Sequence, residues 1–292
     1  MKKLFASFLL FCSITLNAQE LKSYQIYNQS EKKVSFGEMI DALSKYDVVL
    51  FGEFHDVSII HWLELKTAEA LYRKKEENLV LGAEMFERDN QIGIDQYLNA
   101  EIEAEQLQDS VRLWKNYETD YRPILDFAKA KNLKFIATNI PLRYAKLVAY
   151  NGLDTLMNLP QIEKTYIAKL PIEVDMETPG YLEMKKLMEA HAGPNLMNFI
   201  SAQAIKDATM AESILNNQKG KQLFLHFNGN YHSKEYGGIY WWLKKQKGWL
   251  ENLKVAVISV AKSEDSDLAF PNEEKTIVDY TIVVPSDMTK TY

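Results

Sequence analysis

The sequence predicts an α/β fold: a layered sheet of mainly parallel strands with helices on both faces and a helical insertion or lid. Short apolar runs typical of buried strands alternate with longer segments whose apolar residues recur at helical spacing. Two of these runs, Val48–Phe51 and Leu223–Asn228, each lead into a Gly-x-x-His sequence. Ligands of parallel α/β sheets bind where strands end, so these two strand ends are the first candidates for a site.

The N-terminus has the features of a secretory signal peptide. Two lysines precede an apolar stretch, Leu4–Leu16, that is too short to cross a bilayer as a helix. We therefore expect residues 1–19 to be removed and the protein to be exported to the periplasm or cell envelope. Cleavage there removes Cys12, the only cysteine, and the bulky Phe11 in front of it argues against a lipid anchor. Without disulfides, the mature chain depends on its core for stability.

Residues 20–292 are predicted to form a single domain, in which short apolar runs are strands and amphipathic segments are helices. Apolar residues at helical spacing lead into the first signature strand, and an amphipathic segment follows it. In chain order the first half is predicted to hold a helix at Phe36–Tyr46, a strand at Val48–Phe51, a helix at Ser58–Lys74, a strand at Asn78–Phe86, a polar helical segment at Asp95–Trp114, a helix at Pro123–Lys131 and a strand at Leu133–Thr138.

The second half of the domain begins with a helical pattern that prolines interrupt, which predicts a helical insertion or lid at about residues 144–199. A helix at Asn195–Asn216 then precedes the second signature strand. Lys254–Val260 is predicted to be a further strand and Tyr280–Val284 an edge strand before a polar tail.

The charge distribution argues against nucleic acid as a partner. The formal net charge is −6, and no basic stripe or run occurs along the chain. Proteins that bind nucleic acid carry a basic footprint, so this class of partner is excluded.

Carboxylates and imidazoles gather at the predicted strand ends. Glu53 and His55 follow the first signature strand and are two residues apart, so they share one side of an extended chain. His232 closes the second signature, and Glu84 ends the next predicted strand, where a buried carboxylate needs a partner. His61 reaches the same region only if the loop after His55 is short. These groups suit either a general acid–base pair or a divalent zinc, iron or manganese ion.

A second group of polar residues is predicted to support the strand ends. Gln203 and Asp207 are four residues apart on a predicted helix, so they lie on the same side of it. We expect this side of the helix to face inwards and to hydrogen-bond strand ends or site residues. Asn139 and Arg143 follow a strand end in the equivalent position. Arg143 is expected to bind a carboxylate or to pair with Glu84.

Two further patterns are interpreted as packing. His226 lies within an apolar strand, where a histidine is usually a hydrogen-bonded core residue. Trp114, Tyr117, Tyr121 and Pro123 form an aromatic stripe, and such stripes more often pack than bind a ligand. Neither pattern by itself indicates a site.

The order of these motifs resembles the ChaN-like family of haem-binding, iron-regulated proteins, over about residues 34–260. More distantly it is similar to erythromycin esterases and the TraB/Tiki metalloprotease group, which share the strand-end Glu/His set. The motifs that carry the resemblance are Gly52-Glu53-Phe54-His55-Asp56 with His61, Glu84-Met85-Phe86, Trp114 to Pro123, Asn139-x-Pro141-x-Arg143, Gln203-x-x-x-Asp207-x-x-Met210-Ala211 and Gly229-Asn230-Tyr231-His232.

The resemblance implies an exported protein that binds haem for iron acquisition and works with outer-membrane haem-uptake components. It also implies two haems stacked face to face across a homodimer, with a tyrosine as iron ligand and a His and a Lys of the partner subunit meeting the propionates. No motif singles out the tyrosine, so candidates come from loops and the predicted lid. They are Tyr144, Tyr181 and Tyr236 for the iron, and His191, Lys185 and Lys186 for the propionates.

Three functions remain open at this point. The first is haem binding through a phenolate, a hard anionic donor that suits ferric iron. The second is a hydrolase of the erythromycin esterase or Tiki type, in which His55 activates water directly or a divalent metal is held by Glu53, His55, Glu84 and His232. The third is a scaffold in which the same residues only close a buried network.

Overall fold

The computed structural model of the chain describes residues 21–189, 193–245, 252–271 and 278–292. The predicted signal peptide, residues 1–19, lies outside the described residues, and so does His191. Both therefore stay predictions from the sequence.

Eight strands form one sheet in the described chain. Their bounds are β1 Gln25–Asn28, β2 Lys33–Val34, β3 Val48–Glu53, β4 Leu79–Glu87, β5 Phe135–Asn139, β6 Leu223–Gly229, β7 Val255–Ser263 and β8 Tyr280–Pro285. The strand order is β2-β1-β8-β7-β3-β6-β4-β5. From β8 to β5 all neighbours are parallel, whereas β1 pairs antiparallel with both β2 and β8. The predicted fold class is confirmed.

Helices cover both faces of this sheet. They are α1 Phe36–Leu43, α2 Ser58–Lys75, α3 Gln91–Leu98, α4 Ala104–Ser110, α5 Arg122–Lys131, α6 Leu142–Asn151, α7 Pro179–Met188, α8 Leu196–Asn217 and α9 Gly238–Lys245. The local sequence determines where several of these helices begin or end. Ser35 and Glu38 form a capping box at the start of α1, and Asn132 ends α5 in the left-handed conformation.

The buried strands divide their side chains between two hydrophobic cores. In β3, Val49 and Phe51 pack with residues of α1, α2, α3 and α5, whereas Val48 and Leu50 pack with α6, α8 and α9. Alternate side chains of a strand point to opposite faces, and parallel strands covered on both sides are apolar throughout. This is why β3 and β6 have uninterrupted apolar runs.

The prediction that Tyr280–Val284 is an edge strand is wrong. β8 pairs with β7 on one side and with β1 on the other, because residues 25–34 form a hairpin that extends the sheet. The edges are β2 and β5. β1 is only four residues long and has no alternating pattern, which left it without a clear signal in the sequence.

The region predicted to be helical at 144–199 contains α6 and α7. Between them lie two 3-10 turns, Leu153–Asn158 and Glu163–Tyr166, and an irregular stretch that leads to α7. The polar segment predicted at 95–114 is split into α3 and α4. Within the described ranges, no helix combines the length and the apolar character that a membrane span requires.

Tight packing inside the sheet gives a first testable prediction. A Cβ on Gly82 would lie 2.7 Å from the ring of Phe224 and 3.1 Å from the carbonyl oxygen of Ile136. We expect Gly82→Ala to lower the free energy of unfolding by roughly 1–3 kcal/mol, the usual cost of overpacking. Urea denaturation measures this. The control is Gly37→Ala in α1, where a Cβ meets nothing within 4 Å, and equal loss in both variants would contradict the explanation.

Candidate functional site

The ends of β3 and β6 lie side by side and level with each other. The two strands are parallel neighbours, and their register pairs Glu53 with Gly229. The two strand ends that the sequence singled out are therefore neighbours in the fold. As a result, the segments that follow the two strands, with His55 and His232, start from the same edge of the sheet.

His55 is the solvent-facing member of the site. Its Nδ1–H donates to Glu53 Oε1 at 2.5 Å, and Tyr121 OH donates to the same oxygen at 2.8 Å. The side chain of His55 is 34% exposed, and its ring packs edge-on against Trp114 at 4.9 Å. Burial alone would lower the pKa of His55, but the bond to Glu53 and the charges of Glu84 and Glu53 raise it above its ordinary value.

Glu84 occupies an irregular point of β4. The register between β4 and β5 shifts between Ala83 and Glu87, and such bulges turn side chains into active sites. Asn139 Nδ2 donates to the backbone carbonyl of Glu84 at 3.0 Å, and the amide of Gly229 donates to Glu84 Oε2 at 2.7 Å. The carboxylate is thus buried yet bonded to a neighbouring strand.

His232 is held between two carboxylates. Its Nε2–H donates to Glu84 Oε1 at 3.0 Å, and its Nδ1–H donates to Asp207 Oδ1 at 2.5 Å. Both ring nitrogens therefore carry protons, and the ring is an imidazolium. Burial would lower its pKa, but Glu84 and Asp207 raise it to about 10. Both nitrogens are engaged, which leaves none for a metal ion in this arrangement.

The network continues behind Asp207. Tyr181 OH donates to Asp207 Oδ2 at 2.8 Å and accepts a bond from Trp242 Nε1 at 3.1 Å. The side-chain amide of Gln203 lies 3.1 Å from His232 Nδ1. Burial outweighs the attraction of His232 and raises the pKa of Asp207. Gln203 and Asp207 thus face the strand end, as their shared helix row predicted.

Gly229 brings the two halves of the site into contact. A Cβ at this position would lie 2.7 Å from His55 Nε2 and 3.4 Å from Glu84 Oε2. Any side chain here would therefore push His55 away. Because Gly229 has no side chain, His55 and Glu84 can lie close together. His232 joins them through its bond to Glu84.

His61 reaches the site from α2. Its Nδ1 lies 3.1 Å from Glu64 Oε2 and 3.5 Å from Glu53 Oε2, and its Nε2 lies 3.2 Å from the carbonyl oxygen of His55. All three side chains are buried. Burial and the charge of Glu53 raise the pKa of Glu64 well above its ordinary value. Burial would also raise that of Glu53, but the bond from His55 and the charges of the two histidines lower it.

Several candidates from the sequence lie away from this cluster. Arg143 does not pair with Glu84, because its guanidinium is committed to Asp89 and Glu163 at the surface. His226 is a core residue, bonded through Nε2 to Thr138 Oγ1 at 2.8 Å. Burial lowers its pKa to about 4, so it is neutral at ordinary pH.

The three candidate tyrosines have different surroundings. Tyr144 is buried and its hydroxyl accepts a bond from Arg143, while Tyr236 packs against Tyr240. Neither lines the space around His55. Tyr181 does line it, but its hydroxyl is bonded to Asp207. Lys185 and Lys186 lie on the exposed side of α7.

Two cavities open on either side of His55, His232 and Tyr292. The apolar cavity, about 680 Å³, lies beside α7 and is lined among others by Phe54, Met184, Leu187, Met188, Tyr231 and Tyr292. The polar cavity, about 500 Å³, is lined among others by Glu84, Glu87, Arg112, Lys115, Asn139 and Lys206. The partly exposed imidazole of His55 therefore borders both an apolar cavity and a charged one.

Sequence reasoning missed four residues of this region. Glu64 follows His61 by three residues on a predicted helix, so helical spacing could have placed it on the same face. Tyr231 stands inside the second signature itself. Asp120 and Tyr292 gave no signal, because only the tertiary fold brings the π-helical turn Tyr117–Tyr121 and the last residue to the strand ends. Tyr121, interpreted as packing, also bonds Glu53.

The fold and the site define a class of protein: a parallel α/β sheet with Glu and His at two adjacent strand ends. The sequence model of the family described as "Haem-binding uptake, Tiki superfamily, ChaN" matches residues 39–243. The chain belongs to this family, which confirms the resemblance drawn from its motifs. No curated protein sequence matches the chain at a significant level.

Among the similar solved structures, one shows the same fold and others are more distantly similar. The structure described as "Cofacial heme binding to ChaN of Campylobacter jejuni" is 19% identical with a TM-score of 0.68, covering 91% of this chain and 98% of that one. A mutant of the erythromycin esterase EreC in its open conformation is 11% identical with a TM-score of 0.47, covering 90% and 83%. The type III effector HopBA1 is 14% identical with a TM-score of 0.44, covering 85% and 91%.

The charged state of His232 makes stability depend on pH. Its pKa rises from 6.5 to about 10 on folding, so its contribution is complete below about pH 6.5 and is lost as pH rises towards 10. We expect the free energy of unfolding to fall by roughly 1 kcal/mol per pH unit between these values. In His232→Gln this component of the slope should be missing. Denaturant melts at several pH values measure it, and equal slopes would refute the assignment.

Proposed function

We propose that this protein is exported and binds haem for haem or iron acquisition or trafficking. The observation that carries the proposal is the apolar cavity, which opens beside the buried Glu/His network and presents two half-exposed phenols, Tyr231 and Tyr292. Family membership supports the same ligand. The structure from Campylobacter jejuni is described as binding haem cofacially.

The residues of the apolar cavity fit a haem. Its volume of about 680 Å³ is within the range of small-molecule pockets, roughly 300–1,000 Å³. Met184, Leu187 and Met188 provide an apolar wall for a flat macrocycle, and Leu187 is 60% exposed. A phenolate oxygen supplies the hard anionic donor that ferric iron prefers.

Tyr231 is the proposed iron ligand. The residue is 51% exposed beside the apolar cavity, and the Lys234 ammonium lies 4.4 Å from its ring centre. Tyr292 is similarly exposed, but burial and nearby carboxylates, first Asp56, raise its pKa. Tyr181 is a weaker candidate, because burial and Asp207 raise its pKa well above the ordinary value.

The polar cavity supports a place for the haem carboxylates. Arg112, Lys115 and Lys206 line it, and it meets the apolar cavity at His55 and Tyr292. An amphipathic ligand with an apolar body and two carboxylates would lie across both cavities. Lys185 and Lys186 on α7 remain candidates for contacts with a second subunit.

We further propose a homodimer in which two haems face each other, and export through cleavage near residue 19. Exposed apolar side chains beside the cavity, among them Leu187, support the association of two subunits. In this proposal the dimer forms fully only when the ligand is bound. Sedimentation with and without haemin tests the assembly. The N-terminal sequence of the protein in the cell-envelope fraction tests export.

Haem binding gives the next prediction. Haemin added to the purified protein should produce a Soret band and a charge-transfer band of tyrosinate-ligated ferric haem. Tyr231→Phe should remove the charge-transfer band and weaken binding by at least about tenfold, since it loses a direct iron ligand. Tyr150→Phe, an exposed tyrosine on α6, is the matched control. An unchanged spectrum in Tyr231→Phe, with loss in Tyr292→Phe, would assign the ligand to Tyr292 instead.

A hydrolase is the second candidate function, because one particular geometry favours it. His55 is oriented by Glu53 at 2.5 Å, is partly exposed, and shares its space with Glu84. A carboxylate that fixes the tautomer of an accessible imidazole is the arrangement of a general base. In this second proposal His55 takes the proton from an attacking water molecule.

The hydrolase proposal makes its own prediction. The protein should hydrolyse an activated ester such as p-nitrophenyl acetate, and His55→Ala should lower kcat/KM by at least about 100-fold, the usual range for a general base. Tyr150→Phe should retain full activity. Equal turnover in wild type and His55→Ala would eliminate this candidate without affecting the haem proposal.

A further inference from the structure

A second polar cluster lies behind His55, and apart from Glu53 its residues take no part in either proposed function. It consists of Glu53, His61, Glu64 and Asp120 and is called here the buried acidic cluster. Their side chains are 0–3% exposed. Glu53 ends β3, His61 and Glu64 lie on successive turns of α2, and Asp120 belongs to the π-helical turn.

The carboxyl groups of this cluster outnumber its basic groups. Three carboxylates surround one imidazole, and His55 is the next nearest positive group, through Glu53. Among the described residues, no lysine or arginine forms an ion pair with any of the three. Buried carboxylates are costly unless they are paired or coordinate a metal ion.

Two oxygens inside the cluster lack hydrogen-bond partners. Glu53 Oε1 receives bonds from His55 and Tyr121, but Glu53 Oε2 receives none. Glu64 Oε1 is likewise buried without a partner. Buried acceptors of this kind are rare in folded proteins and need an explanation.

The distances within the cluster match a coordination shell. His61 Nδ1 lies 3.5 Å from Glu53 Oε2 and 3.1 Å from Glu64 Oε2, and one ligand atom from each residue falls within 4.8 Å of the others. Ligands at about 2.0–2.2 Å from a tetrahedral ion are separated by about 3.3–3.6 Å. Only small movements are needed to admit an ion.

The other nitrogen of His61 is already fixed. Nε2 lies 3.2 Å from the carbonyl oxygen of His55 and 3.4 Å from Asp120 Oδ2, while Asn116 Nδ2 donates to that same carboxylate at 2.6 Å. A proton on Nε2 leaves the lone pair of Nδ1 directed at the two glutamates. Metal-binding histidines typically have this outer partner, which sets their tautomer.

We propose that Glu53, His61 and Glu64 form a binding site for a divalent transition-metal ion, of the type represented by Zn²⁺ or Mn²⁺. Two carboxylates and one imidazole suit these borderline cations. The site is closed to solvent, as structural metal sites are. The ion joins β3 to α2 and gives Glu53 Oε2 and the Glu64 carboxyl group the partner that the protein itself does not provide.

The site is separate from the strand-end residues that face the ligand cavities. It shares Glu53 with them but uses the oxygen turned away from His55, and it excludes Glu84 and His232. Haem binding and metal binding are therefore independent. Loss of either would leave the other proposal intact.

Zinc titration of the chelator-treated mature protein tests the proposal. We expect one Zn²⁺ per chain by elemental analysis and calorimetry, and a higher unfolding temperature in the zinc form. Glu64→Gln preserves size but removes a ligand charge, so it should weaken Zn²⁺ binding by more than about tenfold, the loss seen even for outer partners. Glu69→Gln is the matched control, because Glu69 lies on the same helix and pairs with Lys66.

Two results distinguish this site from one at the strand ends. His232→Gln should retain the ion, and X-ray absorption of the zinc-loaded wild type should show one imidazole ligand. Two imidazoles, retention of full affinity in Glu64→Gln, or loss in His232→Gln would overturn the proposal, as would the lack of a stoichiometric ion. If Glu64→Gln does not fold, the imidazole count in the wild type decides.

Discussion

The parallel pairing of β3 with β6 is the constraint on which the site depends. Residues 53 and 229 are separated by most of the chain, yet their register makes them direct neighbours at one edge of the sheet. The absence of a side chain at Gly229 then allows His55 to lie against β6 and close to Glu84. A shift of one residue would turn the carboxylate of Glu53 to the opposite face.

The two catalytic-type carboxylates serve opposite faces of the sheet. Glu53 meets α2 through His61 and Glu64, and Glu84 meets α8 through His232 and Asp207. Each side is stabilised by its own imidazole, so the charges are distributed between two layers instead of accumulating in one place. His55 is the member of both networks that reaches solvent.

This division of the site fits both of the proposed functions. The polar part of the site is formed by strand ends whose side chains are hydrogen-bonded to one another. The apolar part comes from α7, outside the sheet. In the haem proposal the ligand lies against the apolar residues of α7 and approaches the polar strand ends. In the hydrolase proposal a small polar substrate contacts only the polar strand ends. His55 has a place in both proposals.

The sequence by itself determined the α/β class, the order of its main strands and helices, and the identity of most polar residues at the strand ends. Glu53, His55, Glu84 and His232 were identifiable because strand ends leave a local pattern of apolar run, glycine and polar residue. Gln203 and Asp207 were identifiable from helical spacing. The tertiary structure alone decided that β8 lies inside the sheet, that Arg143 turns to Asp89, and that Asp120 and Tyr292 reach the site. These depend on contacts between distant segments, and neither periodicity nor local spacing encodes such contacts.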